Sequence, residues 1–196
     1  MKPTVEESNF LEVIDKAIAE KRHVDYLQKV KKDFKDYKDY FEQVFLDNFD
    51  NRKVYCFQAV YKRKNNVWRA IEVLANQALN ELAEAIISSM GWDNDHMHGF
   101  YFPDEKDEML YSSPYAIFAP GWEDDPHPTF KTDEIKIGQV DLERLPRLEF
   151  IFDFGDGHEF DIFYKSQRRL DKKEGQKDFP RLVGQKGVAP EQYPEY

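Results

Sequence analysis

Leu148 to Phe154 and His158 to Tyr164 are two aromatic-rich runs, largely alternating apolar with polar residues, on either side of Gly155-Asp156-Gly157. Alternation with period two marks a half-buried strand, and a short glycine-containing link between two such runs makes a β-hairpin. A three-residue turn would oppose Phe154 to His158, Phe152 to Phe160, Phe150 to Ile162 and Leu148 to Tyr164. One face is then almost wholly apolar and needs a cover. The stripe Leu79, Leu82, Ala83, Ile86, Ile87 and Met90 has the helical spacing to supply it, with Asn76 as its cap and Gly91 where a left-handed C-terminal residue is wanted. Phe150, Phe152, Phe154, Phe160 and Ile162 are therefore expected to share a core with Leu79, Leu82, Ile86 and Met90.

A second hairpin is expected from Val54–Lys62 and Val67–Leu74, joined through Arg63-Lys64-Asn65-Asn66. Residues 4 to about 48 hold no glycine or proline and read as helix, short at first (Phe10, Ile14, Ala17, Ile18), with a break near Lys21 to His23. Beyond the break, Leu27, Val30, Phe34, Tyr37, Phe41 and Val44 form a coiled-coil-like seam. It is expected to pack on its own domain, and a weak dimer through this helix is the alternative to a monomer. Residues 103–128 are proline-rich and acidic and read as a surface excursion, and the chain after Arg169 reads as an irregular tail. The fold class is α+β: a mainly antiparallel sheet of hairpins packed against one amphipathic helix, with residues 1–50 as a helical extension and 51–196 as the main domain.

Charge and cysteine use narrow the function. A formal charge of -10 disfavours nucleic acid as a partner. The single cysteine, Cys56, excludes an intrachain disulfide and a multi-thiolate zinc site, fits a reducing cytoplasm, and is expected to be a core thiol. The first eight residues lack a signal peptide's apolar stretch, and no run approaches the ~20 apolar residues that span a bilayer. There is no Gly-x-Ser-x-Gly elbow and no phosphate-binding loop, since Gly155-Asp156-Gly157 lacks the length and the following lysine. The basic runs Lys62-Arg63-Lys64 and Lys165 to Lys173 read as solvated turns and tail.

Two stretches concentrate polar groups beside apolar anchors: Trp92, Asp93, Asp95, His96 and His98, and Asp153, Asp156 and His158. Both lie beside expected helix or strand ends, where side chains converge without disturbing a core. A site is expected where the end of the Leu79 to Met90 helix meets the Asp156 hairpin. Carboxylates and imidazoles at this spacing suit a divalent metal, and in an extended segment His96 and His98 would point to one side. An EF-hand is excluded because Met97 takes a ligand position and the closing Glu is absent. The competing reading is structural: Asp93 and Asp95 satisfy backbone donors past a helix end, the histidines pack beside aromatics, and Asp153 and Asp156 support a turn. Two functions follow from these alternatives. One is a non-catalytic binding or accessory module for a protein or small molecule, with no cofactor required. The other is a divalent-metal hydrolase using His96, His98, Asp93 and Asp153.

Val67-Trp68-Arg69, Met90-Gly91-Trp92-Asp93, His96-Met97-His98-Gly99-Phe100 and Phe152-Asp153-Phe154-Gly155-Asp156-Gly157 resemble, in this order and spacing, the plasmid pRi ORF-three-like family, also labelled transposon passenger proteins. The resemblance covers roughly residues 52 to 192 and includes Phe179-Pro180-Arg181 and Ala189-Pro190-Glu191. It implies an α+β domain carried on plasmids and mobile elements, with no established activity. The chain departs from the family pattern at Ala83 and Phe160, where histidine is frequent, at His158, which replaces an aromatic, and at Leu182 and Val188, often cysteine. A metal site shared with the family would lose ligands at those positions. The passenger label implies no recombinase here, because no catalytic serine stands in a Tyr-x-Arg-x-Ser setting.

Overall fold

A computed structural model describes residues 2–3, 10–103, 109, 116–121 and 130–193. Helices α1 (Phe10–Ala19) and α2 (Val24–Val44) are followed by strands β1 (Lys53–Tyr61) and β2 (Trp68–Leu74) and helix α3 (Leu79–Ser89). Strands β3 (His98–Tyr101), β4 (Ala116–Phe118), β5 (Arg147–Phe152), β6 (His158–Arg169) and β7 (Arg181–Lys186) complete one seven-stranded sheet. Its order is β4-β3-β5-β6-β1-β2-β7, and all its pairings are antiparallel. The fold is α+β with N-terminal helices.

Alternation along the strands builds the core. Tyr55, Phe57, Ala59 and Tyr61 of β1, Ile71 and Val73 of β2, Phe150 and Phe152 of β5, and Phe160 and Ile162 of β6 turn toward the helices, where they meet Leu79, Leu82, Ile86 and Met90. Helix α3 places its whole apolar stripe there, and Gly91 ends it in the left-handed conformation (φ 75°). Its start differs from the sequence expectation. Asn76 does not cap it; Glu81 reaches back to the Ala78 N–H at 2.7 Å, and the next two N–H groups donate to the carbonyls of Ile135 and Thr132. Those carbonyls come from a segment distant in sequence, so no local pattern announces this cap.

The break before α2 falls where expected, with Lys21 (φ 58°) and His23 (φ 43°) both left-handed. Of the seam, Phe34, Tyr37, Phe41 and Val44 are buried in the chain's own core, with the Phe41 ring 5.4 Å from Phe130 and 5.9 Å from Phe102. Lys32 pairs with Asp36 and Lys31 with Asp15, so charges on α2 also tie it to α1.

Six expectations are corrected. The β5–β6 register pairs Phe152 with His158, Phe150 with Phe160 and Leu148 with Ile162, two residues away from the three-residue-turn reading. The cause is Asp153, which takes a left-handed backbone (φ 53°) while its Oδ1 accepts from the N–H groups of Gly155 and Asp156, so the chain leaves the ladder early. A two-residue slip keeps every paired side chain on its face, which preserves the core. Phe154, however, leaves the strand and packs near Phe118, ring centroids 5.9 Å apart, in a smaller cluster with Tyr101 and Ile151. Residues 116–118 form a strand, not part of a loop; most of the rest of that excursion lies outside the described residues. The stretch after Arg169 is likewise ordered: β7 pairs with β2. Arg168, read from sequence as part of a solvated basic run, joins Arg181 in clasping Glu72 and Glu174. Hydrogen bonding from Arg168 holds the Glu72 carboxyl below its ordinary range, and Glu174 falls to about 2 for the same leading cause. Cys56 is half-buried and not a core thiol; burial, then the Glu72 charge, pushes it up.

Arg69 holds the β2–β7 edge to α3. It is 4% exposed and donates to the carbonyls of Ser89, Trp68 and Lys186 at 2.9, 2.9 and 3.1 Å. Arg69→Met would leave those carbonyls without their donor, so a loss of about 1–3 kcal/mol is expected, read as a lower urea midpoint at unchanged slope. An unaltered midpoint would mean that the carbonyls find water instead. Among the described residues, no helix is long and apolar enough to cross a membrane.

Candidate functional site

The two polar clusters come together. Met97 O accepts from the Asp153 N–H, which draws the stretch after α3 against the β5–β6 turn. The Trp92 ring, 7% exposed, lies 4.2 Å from the His158 ring and stacks near Phe152. Tyr61, at the end of β1, closes the other side, its hydroxyl 3.3 Å from His158 Nδ1. Trp92, His158 and Tyr61 thus form an aromatic floor over the end of the sheet.

Residues 190–193 lie on this floor. Pro190 O accepts from Trp92 Nε1 at 2.9 Å, and Gln192 O lies 2.8 Å from His158 Nε2. The Gln192 amide reads both backbone groups of Asp93: its Oε1 accepts from the Asp93 N–H at 2.7 Å and its Nε2 donates to Asp93 O at 2.9 Å. Gln192 Nε2 also donates to Asp95 Oδ1, while the Tyr193 hydroxyl donates to Asp95 Oδ2 at 2.6 Å. That hydroxyl holds the Asp95 carboxyl below its ordinary range, and Asp95 in turn pushes the Tyr193 phenol up to about 12. Residues 190–193, bent at Gln192 and Tyr193, are thus held over the aromatic floor and the Asp93–Asp95 stretch.

The sequence-derived residues divide accordingly. Trp92, Asp95 and His158 contact residues 190–193 through side chains, and Asp93 through its backbone. His96 stands beside the groove, its Nε2 3.5 Å from Asp153 Oδ2 and its ring 5.9 Å from that of Tyr193. Asp153 spends its other oxygen on the turn, and Asp156 contributes a carbonyl, which accepts from Arg63. His98 is elsewhere: it is 3% exposed, with its ring 5.7 Å from Phe150 and Nε2 3.3 Å from the Thr132 hydroxyl.

The four proposed metal ligands, His96, His98, Asp93 and Asp153, therefore do not converge. Strand β3 begins only at His98, so His96 lies in a bend and the same-side rule for alternate residues does not reach it. Among the described residues, no group of three or more His, Cys, Asp or Glu side chains is placed to hold a metal ion. Sequence reasoning missed Tyr61, Gln192 and Tyr193. Tyr61 reads as an ordinary strand residue, and the last two sit nearly one hundred positions from Asp95 with no periodic signal; only the neighbouring Ala189-Pro190-Glu191 stretch marked that region.

A family model described as plasmid pRiA4b ORF-3-like protein matches residues 59–193, more than half of the chain. The chain belongs to that family. The match takes in the groove, from Tyr61 to Tyr193. The ORF-3-like chain also resembles the crystal structure of a protein of unknown function from Methanosarcina mazei Go1, with a TM-score of 0.58 and 21% identity over 70% of this chain and 72% of that one. That likeness concerns the fold alone. No curated protein matches the chain.

Proposed function

We propose that this protein is a non-catalytic binding module, carried with plasmid or mobile-element genes as the family description suggests, whose groove recognises a short extended peptide. One observation carries the reading. Within residues 190–193, Pro190, Gln192 and Tyr193 make hydrogen bonds to Trp92, Asp93, Asp95 and His158, and Gln192 satisfies both backbone groups of Asp93 at once. Backbone-directed pairing plus a few side-chain contacts is how proteins bind extended peptides. Each bond nets only about 0.5–1.5 kcal/mol, so a segment held this way can exchange with a competitor offering the same groups. In this chain the groove is filled in cis, and a partner would present a comparable Pro-x-Gln-Tyr stretch.

The test uses the full chain carrying Gln192→Ala and Tyr193→Ala, titrated with a peptide of residues 188–196 while the Trp92 indole N–H resonance is followed. A tethered competitor acts at an effective concentration of about millimolar, so the variant should bind the peptide at least ~tenfold more tightly than the parent chain. Equal binding by the two proteins, or no Trp92 shift in the folded variant, overturns the proposal.

A further inference from the structure

The seam on α2 is used in two halves. Phe34, Tyr37, Phe41 and Val44 lie in the core, whereas Leu27 and Val30, with Ala17 and Ile18 of α1, are half-buried and stand outside the core cluster of the described residues. Tyr26 precedes Tyr37 by eleven residues, about three helical turns, so both point to the same side of α2. Tyr37 is 1% exposed and Tyr26 68%. The main domain therefore ends beneath α2 between them, and the tip of the α1–α2 hairpin overhangs it. This tip also precedes the family match, which begins at residue 59.

The hairpin is antiparallel, with Phe10 beside Phe34, ring centroids 4.8 Å apart, and Asp15 paired with Lys31 at 2.6 Å. Val13, 64% exposed, lies about 100° of helical rotation before the buried Ile14, and Tyr26 about 80° before the buried Phe34. Between antiparallel helices, equal senses of rotation lead to one side, so Val13 and Tyr26 share a face. On that face both helices repeat one pattern, Val13, Lys16, Ala17, Glu20 and Tyr26, Lys29, Val30, Asp33, in which two apolar residues one turn apart are accompanied by a lysine and an acid. Residues 10–44 carry eight basic and eight acidic side chains, so the net charge of -10 resides elsewhere in the chain. Two copies meeting here avoid the repulsion that opposes contact between their acidic remainders.

We propose that this face joins two copies of the chain into a weak symmetric dimer, tip on tip. A two-fold axis perpendicular to the helices sets each helix antiparallel to its own counterpart and leaves the main domains at opposite ends, where they do not collide. The Asp15–Lys31 pair fixes the levels of the two helices, so an axis passing between Lys16 and Ala17 on α1 also passes between Lys29 and Val30 on α2. Lys16 then stands within about one helical turn of the second copy's Glu20, and Lys29 within about one turn of its Asp33. Glu20 already meets Arg22, but both side chains are exposed and such pairs are exchanged at little cost. Tips of about ten residues per helix bury roughly 600–800 Å² in total, below the about 1,000 Å² of a stable interface, which makes the dimer weak. It shares no residue with the peptide groove and is independent of that reading.

Sedimentation velocity of the full chain from about 5 µM to about 500 µM tests the proposal, and a dimer with a Kd on the order of 100 µM is expected. Val13→Glu and Tyr26→Glu, both at exposed positions, should leave the melting temperature unchanged and weaken association at least ~tenfold. Asp33→Lys should weaken it about fivefold, and Lys29→Glu added to the same chain should restore it, since the reversed pairs attract as before. Lys186→Glu, on the edge strand β7, should dimerise like the parent. A monomer at every concentration overturns the proposal, as does a dimer that persists in Tyr26→Glu. Sensitivity to Lys186→Glu would place the contact at the sheet edge, and failure of Lys29→Glu to rescue Asp33→Lys would remove the paired charges; either result also overturns it.

Discussion

Phe152→Ala should destabilise the protein by about 3–5 kcal/mol, which for a chain of this size lowers the melting temperature by roughly 10 °C. Phe152 has no exposed surface, and its ring lies in the stack that joins Trp92 to His158 at the end of β5. Removing the ring loses its transfer free energy and leaves a cavity bounded by rigid aromatic planes, which collapse less readily than flexible aliphatic chains. The variant should also loosen the groove, since Trp92 would lose one of its supports. Circular dichroism melts of the two proteins check the first consequence, and a melting temperature within two degrees of the parent would show that Phe152 is not packed as described.

Acid should unfold the protein through His98. Burial lowers its pKa from 6.5 to about 4, because an imidazolium surrounded by Phe150 and the sheet interior would lose its hydration. The unfolded chain takes up a proton at this residue below pH 6.5, whereas the folded chain does so only near pH 4. The unfolded state thus binds more protons across that window, so stability falls as pH drops through it and is insensitive to this group above it. The loss reaches about 3 kcal/mol by pH 4. His98→Gln removes the titration, so the difference in urea midpoint between variant and parent should shift in the variant's favour as pH falls from 7 to 4. A constant difference across that range would assign acid sensitivity to other groups.

Much of the architecture was legible in the order of residues because it rests on periodicity. The Leu79 to Met90 stripe, the Val54–Leu74 hairpin and the faces of β5 and β6 follow from side-chain periods of 3.6 and 2, and those periods survive small errors in register. The break at Lys21 to His23 was legible too, between two helical patterns that do not share a face. The convergence of the Trp92 and Asp153 clusters was readable because both sit at element ends, beside one end of the sheet.

What lay beyond the sequence depends on directional contacts, local in the Asp153 turn and otherwise between distant residues. The Asp153 turn set its length through a left-handed backbone, supported by the Asp153 carboxylate accepting from the following N–H groups. The α3 cap came from Thr132 and Ile135, the clasp on Glu72 from Arg168 and Arg181, and the occupant of the groove from Gln192 and Tyr193. Residue order by itself determined the α+β class, the composition of the core and the neighbourhood of the groove, since apolar burial depends only on which face a side chain takes. Tertiary structure alone decided that His98 faces the core rather than a ligand and that residues 190–193 fill the groove, since a directional hydrogen bond requires both partners to be in place.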